Sequence, residues 1–360
     1  MDQADFATPA PSRISEFSPT LANQLAACQL RVAFARDERL HQWRRPSTST
    51  VLGVVAHAVT EAAFRRREWP STPGEVRTLI EGQWDSEVIR GTSALEEAWA
   101  PAKPPPAVEW PGFALTRART VRRALRVAAA ATTRSGAVQE VSGGIEISLR
   151  DPTTGLFGRA DRIDSDGDST RVVDLKTGIH QDEPTDEQRR QLLLYAVLVF
   201  RNTGRWPSSI AVEDASGYQH ELPLDPADAE STLQEVTAAV VSFNNKVENG
   251  DFFATADPSP DRCRWCSFRV VCQPFWNEVA ADWDQRAALG TVVGSGSSGT
   301  GSFVSLSIER PLEREGQLLQ VIALPAPLEA SVTKVAVVDW VGRWESGGVR
   351  ARWSTLIRGW

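Results

Sequence analysis

The sequence contains no run of about 18 apolar residues, so no segment is long and greasy enough to cross a bilayer as a helix. The first residues, Met1-Asp2-Gln3-Ala4-Asp5, are acidic and lack an apolar core, which excludes a secretory signal and makes the cytoplasm the expected compartment. Basic charge is also short: the net charge is −7, the opposite of what a surface tracking phosphates usually carries. The Gly/Ser run from Gly294 to Ser302 lacks the Lys-Ser/Thr ending of a phosphate-binding loop and reads by composition as a flexible linker. No internal repeat and no helicase motor is visible.

Cysteine is scarce, and its placement is uneven. Cys263-x2-Cys266-x5-Cys272 can present three thiolates to one point, and Cys28 is the only cysteine left to complete a fourth position. A reducing compartment argues against disulfides. Four sulfurs suit zinc and an iron–sulfur cluster about equally by ligand count. Structural zinc usually takes two short-spaced pairs, whereas here one ligand lies more than two hundred residues from the other three. The site would therefore tie two ends of a domain together, with Trp265 and Phe268 as its apolar shell. The alternative is a buried core thiol at Cys28 and an incidental triplet.

What is present reads as an α/β chain. Residues 1–17 are a flexible lead. A helix carrying Cys28 runs from Ser18 (N-cap) and Pro19 to about Asp37, and a second spans 51–68. Residues 70–112, rich in Pro and Trp, form a partly helical insertion, and a long helix covers roughly 112–134. Strands follow at Ile145–Arg150, Leu156–Asp164 and Arg171–Lys176, the last two joined at Asp166-Gly167. A helix over 186–202 opens with Thr185 and Gln188 at capping-box spacing. Strands at Ile210–Glu213 and Tyr218–Leu222 and a helix over 226–248, capped by Asp225, complete a domain spanning 18–290. A linker at 291–302 leads to a small β-rich domain at 303–360, with alternating runs at Val304–Ile308, Leu318–Leu324 and Val335–Val341.

The chemistry is concentrated in one hairpin. With its turn centred on Asp166-Gly167, Asp161 falls opposite Val172 and diagonal to Asp174, and Lys176 shares their face. Val172, Val173 and Leu175 make this a central strand, where charges are costly without a purpose. Two carboxylates and an ammonium held there suit Mg²⁺ or Mn²⁺; the alternative is a surface salt bridge. Glu146, on the preceding strand, is a further candidate. Arg119, Arg122, Arg123 and Arg126 fall on one helical face, either a solvated surface or a phosphate-contacting stripe.

Gly158-Arg159-Ala160-Asp161-Arg162-Ile163 followed by Val173-Asp174-Leu175-Lys176-Thr177-Gly178 resembles the core of the RecB-like branch of the PD-(D/E)XK nucleases. Gln191-x3-Tyr195 and Gly53-x3-His57 resemble that branch's Q-x3-Y and G-x3-H motifs. One early and three late cysteines, with Ser15-x2-Ser18 ahead of Cys28-Gln29-Leu30-Arg31, resemble its iron–sulfur subgroup of AddB-type and CRISPR-associated exonucleases, although Gln29 stands where a proline is usual. The resemblance covers about residues 12–276.

It implies a restriction-endonuclease-like fold, a central mixed sheet flanked by helices, and a metal-dependent DNA exonuclease acting on single-stranded ends in DNA processing, repair or phage defence. It further implies His57, Asp161 and Asp174 as ligands of Mg²⁺ or Mn²⁺, joined by the Leu175 carbonyl. Lys176 would activate water, and Gln191 and Tyr195 would position the metal site and the strand. Cys28, Cys263, Cys266 and Cys272 would hold a [4Fe-4S] cluster, and a helicase or defence-system protein would be the partner. A catalytically silent DNA-binding scaffold and a zinc-stapled adaptor are the competing readings; the presence of Asp161, Asp174 and Lys176 together distinguishes the first from an active enzyme.

Overall fold

The computed structural model describes residues 6, 8–133, 144–166, 169–176, 183–214, 217–283, 286–298, 301–344 and 348–360. Among these, no helix is long and apolar enough to cross a membrane. Ser18 caps α1 (Pro19–Ala27) by accepting from the Leu21 amide at 3.2 Å, with Pro19 in the first turn, where its missing N–H costs nothing. The helix expected to run on to Asp37 is broken at Cys28. That residue is extended (φ −167°), ends α1 and caps α2 (Gln29–Arg36) through its own sulfur.

α3 (Thr48–Arg65) carries His57. The expected insertion is mostly one helix, α4 (Pro73–Trp99), opened by a complete Thr72–Glu75 capping box and anchored by the fully buried Trp84. With α3 and α5 (Phe113–Thr133) it forms a three-helix group.

The core sheet has the order β1 (Gly144–Asp151), β2 (Leu156–Asp166), β3 (Ser169–Leu175), β4 (Ser209–Glu213), β5 (Gln219–Leu222). All neighbours are antiparallel except β3 and β4, whose parallel pairing requires a crossover. That crossover is α6 (Asp186–Thr203), which starts at the Thr185–Gln188 capping box. Every residue from Leu192 to Val199 is buried, because the helix lies between the sheet and the helices α1 and α7 (Pro226–Asn249). The short helices α8 (Pro260–Cys263) and α9 (Gln273–Glu278) bracket the cysteine segment.

The remaining chain is a second sheet of β6 (Ala287–Ser298), β7 (Gly301–Arg310), β8 (Leu318–Leu324), β9 (Lys334–Val338), β10 (Gly348–Arg350) and β11 (Leu356–Gly359), in the order β10-β8-β7-β6-β9-β11. The Gly/Ser run is therefore no linker: it is the second half of β6 and the start of β7, with residues 299–300 outside the described set. A Cβ on Gly290 would sit 2.4 Å from the Ser307 carbonyl oxygen, and one on Gly296 would sit 3.1 Å from the Phe303 ring. These glycines serve close cross-strand approach and bulging, which composition alone mimics as flexibility.

The lead is likewise not free from residue 8 onward. Ile14 and Phe17 are buried, the Ile14 amide donates to Asn244 at 2.8 Å, and Phe17 bridges to Leu156.

Candidate active site

β2 and β3 are two residues out of the expected register. Arg162 faces Val173, so one step further Asp161 lies across from Asp174 itself, where a diagonal placement was expected. A shift of two keeps every side chain on its face, so both carboxylates still converge. Gly167, in the expected turn, and Thr177 and Gly178, after Lys176, lie outside the described residues.

Asp174 is 2% exposed; its Oδ1 accepts from Gln191 Nε2 at 3.0 Å, and its Oδ2 lies 2.8 Å from Lys176 Nζ. The Nζ also donates to Gln191 Oε1 at 3.3 Å, so one amide from α6 bridges acid and ammonium. The Oδ2 contact lacks hydrogen-bond geometry, which leaves a buried carboxylate oxygen with an unserved lone pair. Asp161 Oδ2 accepts from the Leu175 amide at 2.7 Å, fixing one strand's acid to its neighbour's backbone. Burial and the facing Asp174 push the Asp161 carboxyl up to about 7.

His57 and Glu146 complete the group. His57 Nδ1 lies 3.7 Å from Asp161 Oδ1 and 3.9 Å from Glu146 Oε1. Those separations are too long for hydrogen bonds. One ligand atom from each of His57, Glu146 and Asp161 lies within 4.8 Å of the others. Burial lowers the His57 pKa and so favours the neutral imidazole that can coordinate.

Glu146 has φ +53°, in the left-handed region that non-glycine residues avoid, between the β1 residues Ile145 and Ile147 that pair with Arg162 and Ala160. Its Oε2 is held by Arg159 Nε at 2.8 Å, and Arg159 also pairs with Glu61 of α3. Strain of this kind persists where surrounding contacts over-determine it. Nothing in the sequence signals the backbone conformation. The roles of Arg159 and Glu61 were also missed, although strand alternation puts Arg159 on Asp161's face.

Tyr195 does not enter this group directly. Its hydroxyl donates to the Arg159 carbonyl at 2.9 Å, and its ring lies against Gly158, where a Cβ would meet Cε1 at 2.8 Å. The glycine of the Gly-Arg-Ala-Asp run is thus the seat of the tyrosine.

The profile of the PD-(D/E)XK nuclease superfamily matches residues 16–273, most of the chain. The chain belongs to that superfamily. No curated protein matches it. Membership implies metal-dependent nuclease chemistry with DNA as the substrate, and the donor set fits such an ion. Carboxylate oxygens dominate it, and a single imidazole joins them.

Two expectations around the superfamily core need correction. The arginine stripe of α5 does not present one face. Arg123 is buried, pairing through Nη2 with Glu213 Oε1 at 2.7 Å and with the Asp214 carbonyl at 2.9 Å, while Arg162 holds the other Glu213 oxygen at 2.7 Å. Against its burial, Arg162 and Arg123 hold the Glu213 carboxyl below its usual range. Arg123 is therefore structural; Arg122 and Arg126 are exposed, and Arg119 is half-buried.

Trp265 is 77% exposed with the Arg264 guanidinium over its ring, so it gives no shell to the cysteines. Phe268 is buried and packs on Phe34 at 5.6 Å, while the aromatic residues that line the cysteine cavity are Phe34 and Phe275.

Cys28, Cys263, Cys266 and Cys272 line one cavity with Leu30 and Phe275. Burial pushes the Cys263 thiol up to about 11 and raises Cys266 and Cys272 as well. No three of these sulfurs lie within 4.8 Å of one another, whereas tetrahedral zinc would bring its thiolates to about 3.8 Å.

Proposed function

We propose that this chain is a Mg²⁺- or Mn²⁺-dependent deoxyribonuclease of the RecB-like branch that removes nucleotides from single-stranded DNA ends. The observation that carries the reading is the convergence of His57, Glu146 and Asp161, beside the paired Asp174 and Lys176. His57, Glu146 and Asp161 would hold the ion, and Asp174, paired with Lys176, would join them as a further ligand. When bound, the ion supplies positive charge that acidifies a coordinated water and offsets charge on the phosphate.

The chain's own groups do the rest. Lys176, fixed by Gln191 and Asp174, orients the attacking water and faces the charge that develops during in-line displacement. Gln191 holds Asp174 and Lys176 in one geometry. Tyr195 fixes the Arg159 backbone and, through that residue, Glu146. Arg122 and Arg126 offer charge to the DNA backbone.

The four cysteines would hold a [4Fe-4S] cluster that closes the domain. What supports this is the cavity that all four cysteines line. Protein purified without oxygen should then be brown, and a colourless zinc-containing protein would replace the cluster with zinc.

The substrate reading is tested with end-labelled linear single strands, the same strands circularised, and duplexes, each with Mn²⁺ or Mg²⁺. Linear strands should shorten stepwise while circles persist. Cleavage of circles at the linear rate would overturn the exonuclease assignment. A helicase or defence-system protein would supply single strands from duplex DNA.

A further inference from the structure

Arg159 and Glu61 stand at the edge of the acidic site without belonging to its ligand group. Arg159 follows Gly158 on β2, and its Nε lies 2.8 Å from Glu146 Oε2 and donates to the Glu146 carbonyl at 3.3 Å. Its Nη2 pairs with Glu61, which Arg65 holds in turn at 2.7 Å. Glu61 comes one helical turn after His57 on α3, so both side chains leave the same face of that helix. One helix thus supplies an imidazole to the site directly and braces a carboxylate of β1 through Arg159.

The consequence lies in which oxygens are left for an ion. Asp161 Oδ2 accepts from the Leu175 amide at 2.7 Å, Asp174 Oδ1 accepts from Gln191 Nε2 at 3.0 Å, and Glu146 Oε2 faces Arg159. Each carboxylate therefore has one oxygen already engaged. At Glu146 the engaging group carries a full positive charge, which repels a divalent ion from Oε2. What remains is Oε1, the oxygen 3.9 Å from His57 Nδ1. The left-handed backbone of Glu146 (φ +53°) belongs to the same arrangement, because the Nε beside its carboxylate also reaches its carbonyl.

We propose that Arg159, braced by Glu61, is a positioning residue that confines Glu146 to a single ligand oxygen and so sets the site against Ca²⁺ in favour of Mg²⁺ and Mn²⁺. The proposal rests on the metal reading above. Ca²⁺ takes about six to eight oxygens and often grips a carboxylate by both of them, whereas Mg²⁺ demands a near-octahedral set. Single oxygens fixed by donors, with one imidazole among them, serve the smaller ions. Freeing Glu146 Oε2 supplies the second oxygen that the larger ion uses.

The test uses the full chain without DNA, so that the readout is metal binding alone. Mn²⁺ is followed by its electron paramagnetic resonance signal, and the Ca²⁺ concentration that displaces half of it gives the ratio of the two affinities. Deleting a cation strengthens the binding of both ions alike, so the ratio isolates the geometry. The unaltered protein should prefer Mn²⁺. Arg159→Ala should move the ratio toward Ca²⁺ by about tenfold, the scale on which partners of metal ligands act. Arg159→Lys, which keeps one donor for Glu146, should recover most of the preference. If Arg159→Ala does not fold, Glu61→Ala carries the test, with a shift in the same direction. An unchanged ratio in folded variants, or an unaltered protein that binds Ca²⁺ as tightly as Mn²⁺, overturns the role of Arg159 and leaves the nuclease reading standing. Absence of Mn²⁺ binding to the unaltered protein overturns both.

Discussion

The side chains of the acidic site titrate against one another, and the sign of each shift sets how the protein responds to pH. The Asp161 carboxyl, raised to about 7 by burial and by Asp174, favours its protonated form in the fold. Its contribution to metal-free stability is present below the ordinary carboxylate range and lost as pH rises through about 7. His57, lowered by burial, acts in the opposite sense: its contribution is present above the ordinary histidine range and lost as pH falls through its depressed pKa. Both groups must shed protons to coordinate a cation, so for metal binding the two signs agree. The rise in melting temperature caused by saturating Mn²⁺ should therefore grow between pH 5.5 and pH 8. A metal-induced shift that is flat across that range would contradict the assignment of Asp161 and His57 as ligands.

At the scale of elements, most of the site was legible because periodicity carries it. Strand alternation placed Asp161, Asp174 and Lys176 on one face even though the register was two residues off, since a shift of two preserves parity. The Thr185–Gln188 box announced α6, and with it the positions of Gln191 and Tyr195. What the sequence hid depends on tertiary contacts. The left-handed backbone of Glu146 follows from its partners Arg159 and Glu61, and the burial of Arg123 follows from Glu213, a residue ninety positions away. The Gly/Ser strand was misread because close cross-strand approach and flexibility select the same residues.

The seat of Tyr195 against Gly158 gives this scale its own test. Gly158→Ala would place a Cβ 2.8 Å from the Tyr195 ring and 3.2 Å from Pro19 Cδ, in a region with no room to yield. A cost of about 1–3 kcal/mol follows, read as a melting temperature several degrees lower. An unchanged melting temperature would mean that α6 does not pack on β2 as described.

For the molecule as a whole, the cysteine segment is the junction. Cys28 separates the first two helices, Cys263 ends α8, and the turn from Ser267 to Val271 packs on β9 and β11. Arg269 links the two sides, donating to the Cys266 carbonyl at 2.9 Å and pairing with Asp339 of the C-terminal sheet. Phe6 adds a second tie by packing edge-on against Trp360 at 5.6 Å. Loss of the cysteine site should therefore loosen the architecture and spare the acidic site. Cys263→Ala is expected to lower soluble yield and resistance to protease while the remaining folded fraction binds Mn²⁺ as before. Protease resistance equal to that of the unaltered protein would remove the cysteines from this role.

If one acidic site hydrolyses DNA with a divalent cation, parallel cleavage assays on the unaltered protein, Asp174→Ala and Lys176→Ala will show it. With linear single-stranded DNA and Mn²⁺, the unaltered protein should release nucleotides and stop on addition of a chelator. Both variants, folded by circular dichroism, should fall by at least about a hundredfold. Cleavage that survives Asp174→Ala, or folded protein that leaves DNA intact under every metal condition, would contradict the account.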